Sequence, residues 1–436
     1  MFHISREELY NMCENREALL QISQKFTEDT LKCILKRASG SDSIELVDYE
    51  VTGSSIRGGD SFLSTLSRIR VEGKINNTPH TLALIVKGLP ANIGRRKTFR
   101  STQFFRNEVV FYNKVLRKLM EFQEKKKPKK SFQEIPRCLY ALADGENDFV
   151  VMEDVSISGY VSGDRKEGQN LDHCVAVLQV LGRFHALSLA MKHQDPQGFS
   201  MLSASLEETY FSHELKGWYS GQMKRFCNVA MDAVSKEYPN SIYEEKLKKF
   251  ADDTLYDRLV EMALPKEPHA VIGHGDTWAP NFMFRYEGDS RSAPVGTYMI
   301  DFQLARYASP VLDLAFFLFS CTTQELRTTH YQHLLRTYYQ SLAELLQDLG
   351  SAPADVFPYD AFQKEIDTYI AFGVGFSLES VPFSVMDEEE TPNLDLIEGD
   401  KAIPIEQIWH VHPIKSKKGR LRLADNIKFA VDNNYI

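Results

Sequence analysis

Paired cysteines, long apolar runs and an excess of basic residues are all missing from this sequence of 436 residues. Its six cysteines are scattered, without a CxxC pair or a Cys/His cluster, which disfavours a disulfide framework or a zinc finger and predicts a cytoplasmic protein. The first residues, MFHISREELY, lack an apolar core, and no apolar run reaches membrane-spanning length, so we expect neither a signal peptide nor a membrane span. The net charge of -9 disfavours a nucleic-acid partner.

Hydrophobic residues make up 43% of the chain and charged residues 25%, a balance typical of a globular protein with substantial cores. Polar and apolar residues alternate over Ser43–Gly53, Phe62–Glu72 and His80–Gly88, which predicts an antiparallel sheet. Phe104–Met120 has helical periodicity, and helical patterns prevail from Leu171 onward, including two expected helices at Leu206–Ser220 and Gln222–Val234. The fold class predicted is therefore α+β.

The most informative stretch is a predicted hairpin, Phe282–Tyr286 with Val295–Ile300, and the loops beside it. Such a hairpin brings Asp276, Asn281 and Asp301 to one edge. One carboxylate can accept a proton from a hydroxyl nucleophile, while the other carboxylate and the amide hold Mg²⁺, which prefers oxygen ligands. A single solvated aspartate would be the commoner interpretation, but the ordered string His-Gly-Asp, then Asn, then a strand-terminal Asp favours the site.

A second candidate pair is Lys87 with Glu108. Lys87 ends an apolar strand, where a charged side chain is costly unless it is paired. Glu108 lies among the apolar residues of the predicted helix Phe104–Met120. A strand lysine held by a helix glutamate is the arrangement with which kinases bind phosphate oxygens. The alternative is a lysine that reaches solvent at a strand edge and a solvated glutamate.

The turn SSIRGGDS between the first two predicted strands supplies a third candidate site, with Gly58, Gly59 and Ser61. Glycines allow phosphate groups to approach backbone N–H groups closely. A plain hairpin turn explains the same residues equally well, since they match no established phosphate-loop pattern.

Taken together, HGDTWAPN, IDFQ and PVLDLAFF resemble the ecdysteroid kinase-like family, small-molecule kinases related to choline kinases and aminoglycoside phosphotransferases. The resemblance implies a two-lobed protein-kinase-like fold, with an antiparallel sheet plus helix in the N-lobe and a mainly helical C-lobe. Because residues 156–170 are polar and contain Gly and Ser, we place the boundary after residue 155. Residues 1–155 would bind nucleotide, and residues 156–436 would carry catalysis and acceptor binding.

Within that resemblance, Asp276 is the catalytic base and Asn281 and Asp301 are the magnesium ligands. Lys87, Glu108 and the turn with Gly58, Gly59 and Ser61 bind the phosphates of ATP. FVVMEDV is similar to the family hinge, whose backbone at Glu153 and Val155 would bind adenine.

Only Phe302–Ser309 separates Asp301 from Pro310, which leaves no room for the segment with which protein kinases hold a peptide. We therefore expect a small-molecule hydroxyl acceptor and no protein substrate. The resemblance implies a steroid or another lipophilic alcohol, and the implied fold leaves choline-like and aminoglycoside acceptors open. The alternative is a pseudokinase that binds a ligand or nucleotide without phosphoryl transfer, because the Gly-rich turn departs from the family pattern.

Overall fold

The computed structural model describes residues 15–54, 63–390, 394 and 397–436. Two compact units emerge, each discontinuous in sequence. The first comprises Met1–Asn113, Pro136–Ser158 and Pro392–Ile403, and the second comprises Lys114–Ile135, Gly159–Thr391 and Pro404–Ile436. The predicted boundary after residue 155 stays a prediction.

The first unit is built on an antiparallel sheet with strand order β1-β2-β3-β5-β4. Its described strands are β1 Ile44–Ser54, β2 Thr65–Ile75, β3 Thr78–Gly88, β4 Cys138–Leu142 and β5 Phe149–Glu153. Its described helices are α1 Glu28–Ser39, α2 Ile93–Thr98 and α3 Ser101–Val110, together with a helical segment at residues 15–22.

The core of this unit lies between α1 and the sheet. Buried and less buried residues alternate along β2, as expected for a strand with one face on a core. Leu31, Ile34 and Leu35 of α1 pack into a cluster with Val71 of β2 and Val86 of β3. Val86 of β3 therefore faces this core, and Lys87, the penultimate residue of the strand, follows it on the opposite face.

The second unit is mainly helical. Its described α-helices begin with α4 Arg117–Lys126, α5 Leu171–Gln194, α6 Pro196–Ser203, α7 Lys216–Glu237, α8 Ile242–Phe250, α9 Leu255–Ala263, α10 Val311–Cys321, α11 Gln324–Asp348, α12 Pro353–Val356 and α13 Tyr359–Val385. The helices α14 Ile405–Ile408 and α15 Lys417–Asp432 follow. A π-helical segment, Phe111–Leu116, separates α3 from α4, so the predicted helix Phe104–Met120 is not continuous α-helix.

Short strands of the second unit flank the loops that contain Asp276, Asn281 and Asp301. In the second unit β6 Val161–Ser162, β8 Phe282–Arg285 and β9 Gly296–Met299 form one antiparallel sheet. The strands β7 Val271–Gly273 and β10 Arg306–Ala308 pair separately. The predicted hairpin is present as β8 and β9, with Phe282 opposite Met299.

Helix α10 lies in the core of the second unit, because every one of its residues is buried. It packs against α13, where a side chain at Gly373 would place a Cβ atom 2.3 Å from the carbonyl oxygen of Ala315. Only glycine permits this close approach. The packing fixes the first turn of α10, where Asp313 lies.

Helix α5 is the one helix among the described residues that is long and apolar enough to cross a membrane. Of its apolar window, 83% is buried within the fold, where the helix packs against α11. Such burial is typical of a core helix.

Candidate active site

The loop that follows β7 is held by a single carboxylate, that of Asp313 in the first turn of α10. Its Oδ2 accepts a hydrogen bond from the backbone N–H of His274 at 2.6 Å, and its Oδ1 accepts one from Gly275 at 2.8 Å. The hydroxyl of Thr277 donates to the Asp313 carbonyl at 2.7 Å. These three hydrogen bonds join residues on both sides of Asp276 to the first turn of α10, so α10 sets the position of Asp276.

Asp313 is buried, yet its charged form is favoured. Burial acts to raise its pKa, but the pKa is lowered overall, chiefly by the hydrogen bond from His185 and also by the hydrogen bond from the Gly275 N–H. The Nε2 atom of His185 lies 3.0 Å from Oδ2, and its Nδ1 lies 2.7 Å from the Tyr338 hydroxyl. His185 is thus a core residue with a partner for each ring nitrogen, and it orients Asp313.

His274 links the loop to the hairpin. Its Nδ1 accepts a hydrogen bond from the N–H of Asp276 at 3.2 Å, and its Nε2 lies 2.9 Å from the carbonyl oxygen of Ile300. These partners require a neutral ring with its proton on Nε2. Burial lowers the pKa of His274, which is consistent with that neutral form. The ring therefore ties the residue before Asp301 to the loop that carries Asp276.

The side chains of Asp276 and Asn281 are in direct contact. The Nδ2 atom of Asn281 donates to Oδ2 of Asp276 at 2.9 Å and to the Asp276 carbonyl at 2.9 Å. Both bonds use Nδ2, so Oδ1 is the ligand atom that this side chain would offer to a cation. Asp301 follows β9 with a left-handed φ of 66°. The structure therefore gathers the loop and hairpin residues that the sequence pattern singled out.

Burial raises the pKa of Asp276 to about 8, and the negative charges of Asp301 and Glu379 contribute in the same direction. Asn281 and Arg306 act to lower it. Because the charge of Asp301 helps to raise the pKa of Asp276, the two carboxylates repel each other when both are ionised, and a cation at this edge would relieve that repulsion.

The donor set suits magnesium. A carboxylate of Asp301 and an amide oxygen of Asn281 are hard oxygen ligands of the kind that Mg²⁺ takes, with phosphate oxygens and water completing its shell. Within the parts of the chain that the structure describes, no cluster of three or more His, Cys, Asp or Glu side chains is gathered for a metal. A site of two protein ligands fits a metal that arrives with a nucleotide.

In the first unit, Lys87 and Glu108 form a buried ion pair. The Nζ atom of Lys87 lies 2.8 Å from Oε2 of Glu108, and their side chains are 6% and 0% exposed. Lys87 lies opposite Leu66 of β2 and Val150 of β5, so the sheet fixes its position from both sides. The buried partner required by a lysine in this strand is therefore Glu108.

The remaining predicted residues are placed as follows. Glu153 is the last residue of β5, paired with Leu84, and Val155 begins a 3₁₀ turn, Val155–Ser158. Their backbone contacts with adenine stay a prediction. Gly58, Gly59 and Ser61 lie outside the described residues.

Sequence reasoning missed Glu379 of α13, a buried acid whose charge acts on Asp276. The signal that could have revealed it is a single glutamate in the otherwise apolar run FGVGFSLESVPF. It also missed Arg306, whose side chain is 4% exposed and lies 2.9 Å from Glu208. The charge of Arg306 acts to lower the pKa of Asp276.

Comparison with solved structures finds kinases of small molecules. An ethanolamine kinase of Plasmodium vivax shares 11% identity, with 100% of this chain and 97% of that chain covered at a TM-score of 0.41. A GDP complex of aminoglycoside 2'-phosphotransferase-IIIa shares 13% identity, with coverages of 84% and 97% and a TM-score of 0.34. A glucosamine kinase shares 13% identity, with coverages of 93% and 84% and a TM-score of 0.31.

Among curated protein sequences, no match was found. A sequence model of the ecdysteroid kinase-like family matches residues 58–351, which is more than half of the chain and includes the hairpin and the Lys87–Glu108 pair. The architecture, an antiparallel sheet unit and a mainly helical unit, is the α+β protein-kinase-like fold expected of such a chain. The chain therefore belongs to the ecdysteroid kinase-like family.

Proposed function

We propose that this protein is an ATP- and Mg²⁺-dependent cytoplasmic kinase that phosphorylates a hydroxyl group of a steroid or another small lipophilic alcohol. Family membership supports a small-molecule kinase. The observation that carries the proposal furthest is the contact between Asp276 and Asn281 beside Asp301, on a loop fixed by Asp313.

In this proposal Asp276 acts as the general base. Its carboxylate accepts the proton of the acceptor hydroxyl as the new O–P bond forms and the bond between the γ-phosphorus and the bridging oxygen breaks, releasing ADP. Because the charge of Asp301 helps to raise the pKa of Asp276, neutralising that charge brings the pKa toward the range of a carboxylate base. Proton transfer of this kind contributes about a hundred- to ten-thousand-fold.

Asn281 and Asp301 would hold Mg²⁺, which, when bound, supplies positive charge against the phosphate oxygens. Lys87, fixed by Glu108, would neutralise oxygens of the non-transferred phosphates. We assign backbone contacts to phosphate at Gly58, Gly59 and Ser61, and to adenine at Glu153 and Val155. Alignment and charge stabilisation then account for most of the rate gain.

The test is phosphate transfer from ATP to a panel of acceptors, read by mass spectrometry with and without Mg²⁺. The panel contains steroids with side-chain hydroxyls, a plant phenolic, choline and an aminoglycoside. We expect a phosphorylated product from at least one lipophilic alcohol, and no product when Mg²⁺ is removed.

Asp276→Asn should lower turnover by at least about a hundredfold while nucleotide affinity is kept, because the amide cannot accept the proton. The matched control is Asp289→Asn, an exposed aspartate in the turn of the same hairpin, which should retain wild-type turnover. Undiminished turnover in Asp276→Asn would refute its role. Mg²⁺-dependent ATP binding without transfer to any acceptor would mean that the panel lacks the acceptor, whereas neither transfer nor ATP binding would favour the pseudokinase alternative.

A further inference from the structure

Residues 114–130, KVLRKLMEFQEKKKPKK, form a strongly basic segment of the second unit. Within it lie eight lysines and arginines and only two glutamates, although the chain as a whole carries a net charge of -9. All eight basic residues are exposed to solvent. The segment therefore presents a positive patch on an acidic protein.

Few acids neutralise this patch. Glu121 pairs with Arg117 at 2.9 Å and with Lys118 at 2.7 Å, and Asp348 lies 3.9 Å from Lys129. Over the part of the chain that the structure describes, no acid forms an ion pair with the other five, Lys114, Lys125, Lys126, Lys127 and Lys130. Like charges held this close together repel one another, so the approach of an anionic partner lowers their energy.

The helical part of the basic segment turns its apolar side inward. Val115 and Leu119 are fully buried, and helix α4 packs against α5. Lys114, Lys118 and Lys125 are exposed on the other side. Because the apolar side is already used within the fold, this helix has no free apolar face to insert into a hydrocarbon layer. Contact with a partner therefore falls to the ammonium groups.

The lysine-rich loop that follows α4 is fixed by its backbone. The side chain of Gln123, 4% exposed, accepts a hydrogen bond from the Phe132 N–H at 2.6 Å and donates one to the Phe132 carbonyl at 3.1 Å. Arg183 of α5 donates to the carbonyl oxygens of Lys130 and Ser131 at 3.3 and 2.7 Å. The fold thus holds the loop in place while its lysine side chains stay in solvent. A surface held in this way loses less conformational entropy on binding than a flexible tail does.

Lysine dominates the patch, which bears on the class of partner. Seven of the eight basic residues are lysines, and the one arginine, Arg117, is engaged by Glu121. Arginine has the planar fork that matches individual phosphates of a nucleic acid, whereas the compact charge of lysine demands no particular geometry. Clusters of four to eight basic residues on a helix are typical of surfaces that bind anionic lipids. Lipid headgroups diffuse within their layer and can gather beneath lysines at any spacing.

We propose that residues 114–130 form a docking surface for an anionic lipid bilayer, which they bind peripherally through their lysine ammonium groups. The segment lies on the headgroups and does not enter the hydrocarbon. This inference goes beyond the proposed function and does not depend on it. A lipophilic acceptor of the kind proposed above would concentrate in the same lipid layer.

Co-sedimentation of the full-length protein with sucrose-loaded vesicles tests the proposal. Vesicles of phosphatidylcholine are compared with vesicles in which a third of the lipid is phosphatidylserine. We expect at least about tenfold tighter binding to the anionic vesicles, because each basic residue near an anionic surface contributes about fivefold in affinity. Raising the salt from about 0.15 M to about 1 M should release the protein, since the Debye length falls from about 8 Å to about 3 Å. Equal binding to both kinds of vesicle, or binding to neither, would overturn the proposal.

A variant with four substitutions assigns the binding to this segment: Lys125→Gln, Lys127→Gln, Lys129→Gln and Lys130→Gln. We expect it to bind anionic vesicles at least about a hundredfold more weakly than wild type. All four side chains are exposed, and surface substitutions of this kind change stability little.

The matched control removes the same charge from exposed lysines of α7 and α8 in the same unit, at Lys224, Lys236, Lys248 and Lys249, again with glutamine. It should bind vesicles as wild type does. Equal losses in the two variants would show that the total charge of the protein governs binding, and would refute the assignment to residues 114–130.

A nucleic acid is the other polyanion that a basic patch can take. In a competition arm, single-stranded RNA is added to the anionic vesicles at a phosphate concentration equal to that of the phosphatidylserine. We expect the protein to stay with the vesicles, and its release by RNA would overturn the proposal in favour of a nucleic-acid surface. No ATP or acceptor is present, so vesicle binding by a protein that transfers no phosphate would contradict the proposed function and not this inference.

Discussion

At the scale of single residues, Gly275 shows how tightly the loop before Asp276 is built. Its φ is +83°, and a Cβ atom would lie 1.9 Å from the carbonyl oxygen of Leu304. We predict that Gly275→Ala lowers the free energy of unfolding by at least about 2 kcal/mol, because backbone strain and a backbone clash add. Urea denaturation measures this difference.

Gly288→Ala provides the comparison for that substitution. Gly288 has a φ of +68°, but nothing lies within 4 Å of its added Cβ. Only the backbone strain of the left-handed conformation remains, so we expect Gly288→Ala to lower the free energy of unfolding by about 1 kcal/mol. Equal effects at the two glycines would show that the close approach at Leu304 does not constrain the loop.

The Lys87–Glu108 pair makes a second prediction at this scale. Removing one member of a buried pair leaves an uncompensated charge, so Glu108→Leu should destabilise the protein by about 3–5 kcal/mol. Adding Lys87→Met should recover part of that loss, since no charge then stays buried. Denaturation of the two single variants and the double variant gives the coupling energy.

An exposed ion pair serves as the control for these denaturation measurements. Glu245 and Lys249 lie 2.7 Å apart on α8 with side chains 59% and 70% exposed. Glu245→Gln should change stability by less than about 1 kcal/mol. If Glu108→Leu were as mild, the proposed role of Glu108 in fixing Lys87 would lose its physical basis.

At the scale of elements, β7, the hairpin and α10 are coupled through His274. Because its pKa is lowered by burial, the unfolded state binds a proton that the folded state excludes as the pH falls below 6.5. Stability is therefore expected to fall with decreasing pH in this range, by at most about 1.4 kcal/mol per pH unit for this residue.

We predict that His274→Gln is less stable than wild type at pH 7.5 and that the difference narrows toward pH 5.5. Urea denaturation at several pH values measures it. His80→Gln, a substitution of an exposed histidine in β3, should follow the wild-type pH dependence. A difference that stays constant with pH would show that protonation of His274 does not oppose folding.

At the scale of the whole molecule, the predictable parts are those with short-range signals. Alternation over the hairpin and the spacing of Asp276, Asn281 and Asp301 were readable because these residues are close in sequence. Lys87 and Glu108 were matched across 21 positions because a lysine in an apolar strand needs an acid. The roles assigned to these residues stay predictions.

Features that depend on packing between residues distant in sequence could not be predicted. The two helices expected at Leu206–Ser220 and Gln222–Val234 are replaced by the single helix α7, which begins later, at Lys216, and passes through Gly221 without a break. Tertiary packing overrides the low helix propensity of glycine there. Likewise, the contacts of Asp313 with His185 and of Glu379 with Tyr210 join residues more than 100 positions apart, which periodicity cannot reveal.

Binding of Mg²⁺ with ATP should stabilise the whole chain, since a ligand that binds only the folded state adds about 2.7 kcal/mol at a concentration of one hundred times its Kd. Asp301→Asn should abolish the Mg²⁺-dependent part of this shift. Asparagine tolerates the left-handed φ of 66° at this position, so the substitution removes a charged ligand without straining the turn. Thermal unfolding in the presence of ATP, with either Mg²⁺ or EDTA, measures this Mg²⁺-dependent shift. The control variant Asp289→Asn should retain the wild-type shift. An identical Mg²⁺-dependent shift in Asp301→Asn and wild type would exclude Asp301 as a metal ligand, because a neutral amide is a far weaker ligand for a hard dication than a carboxylate.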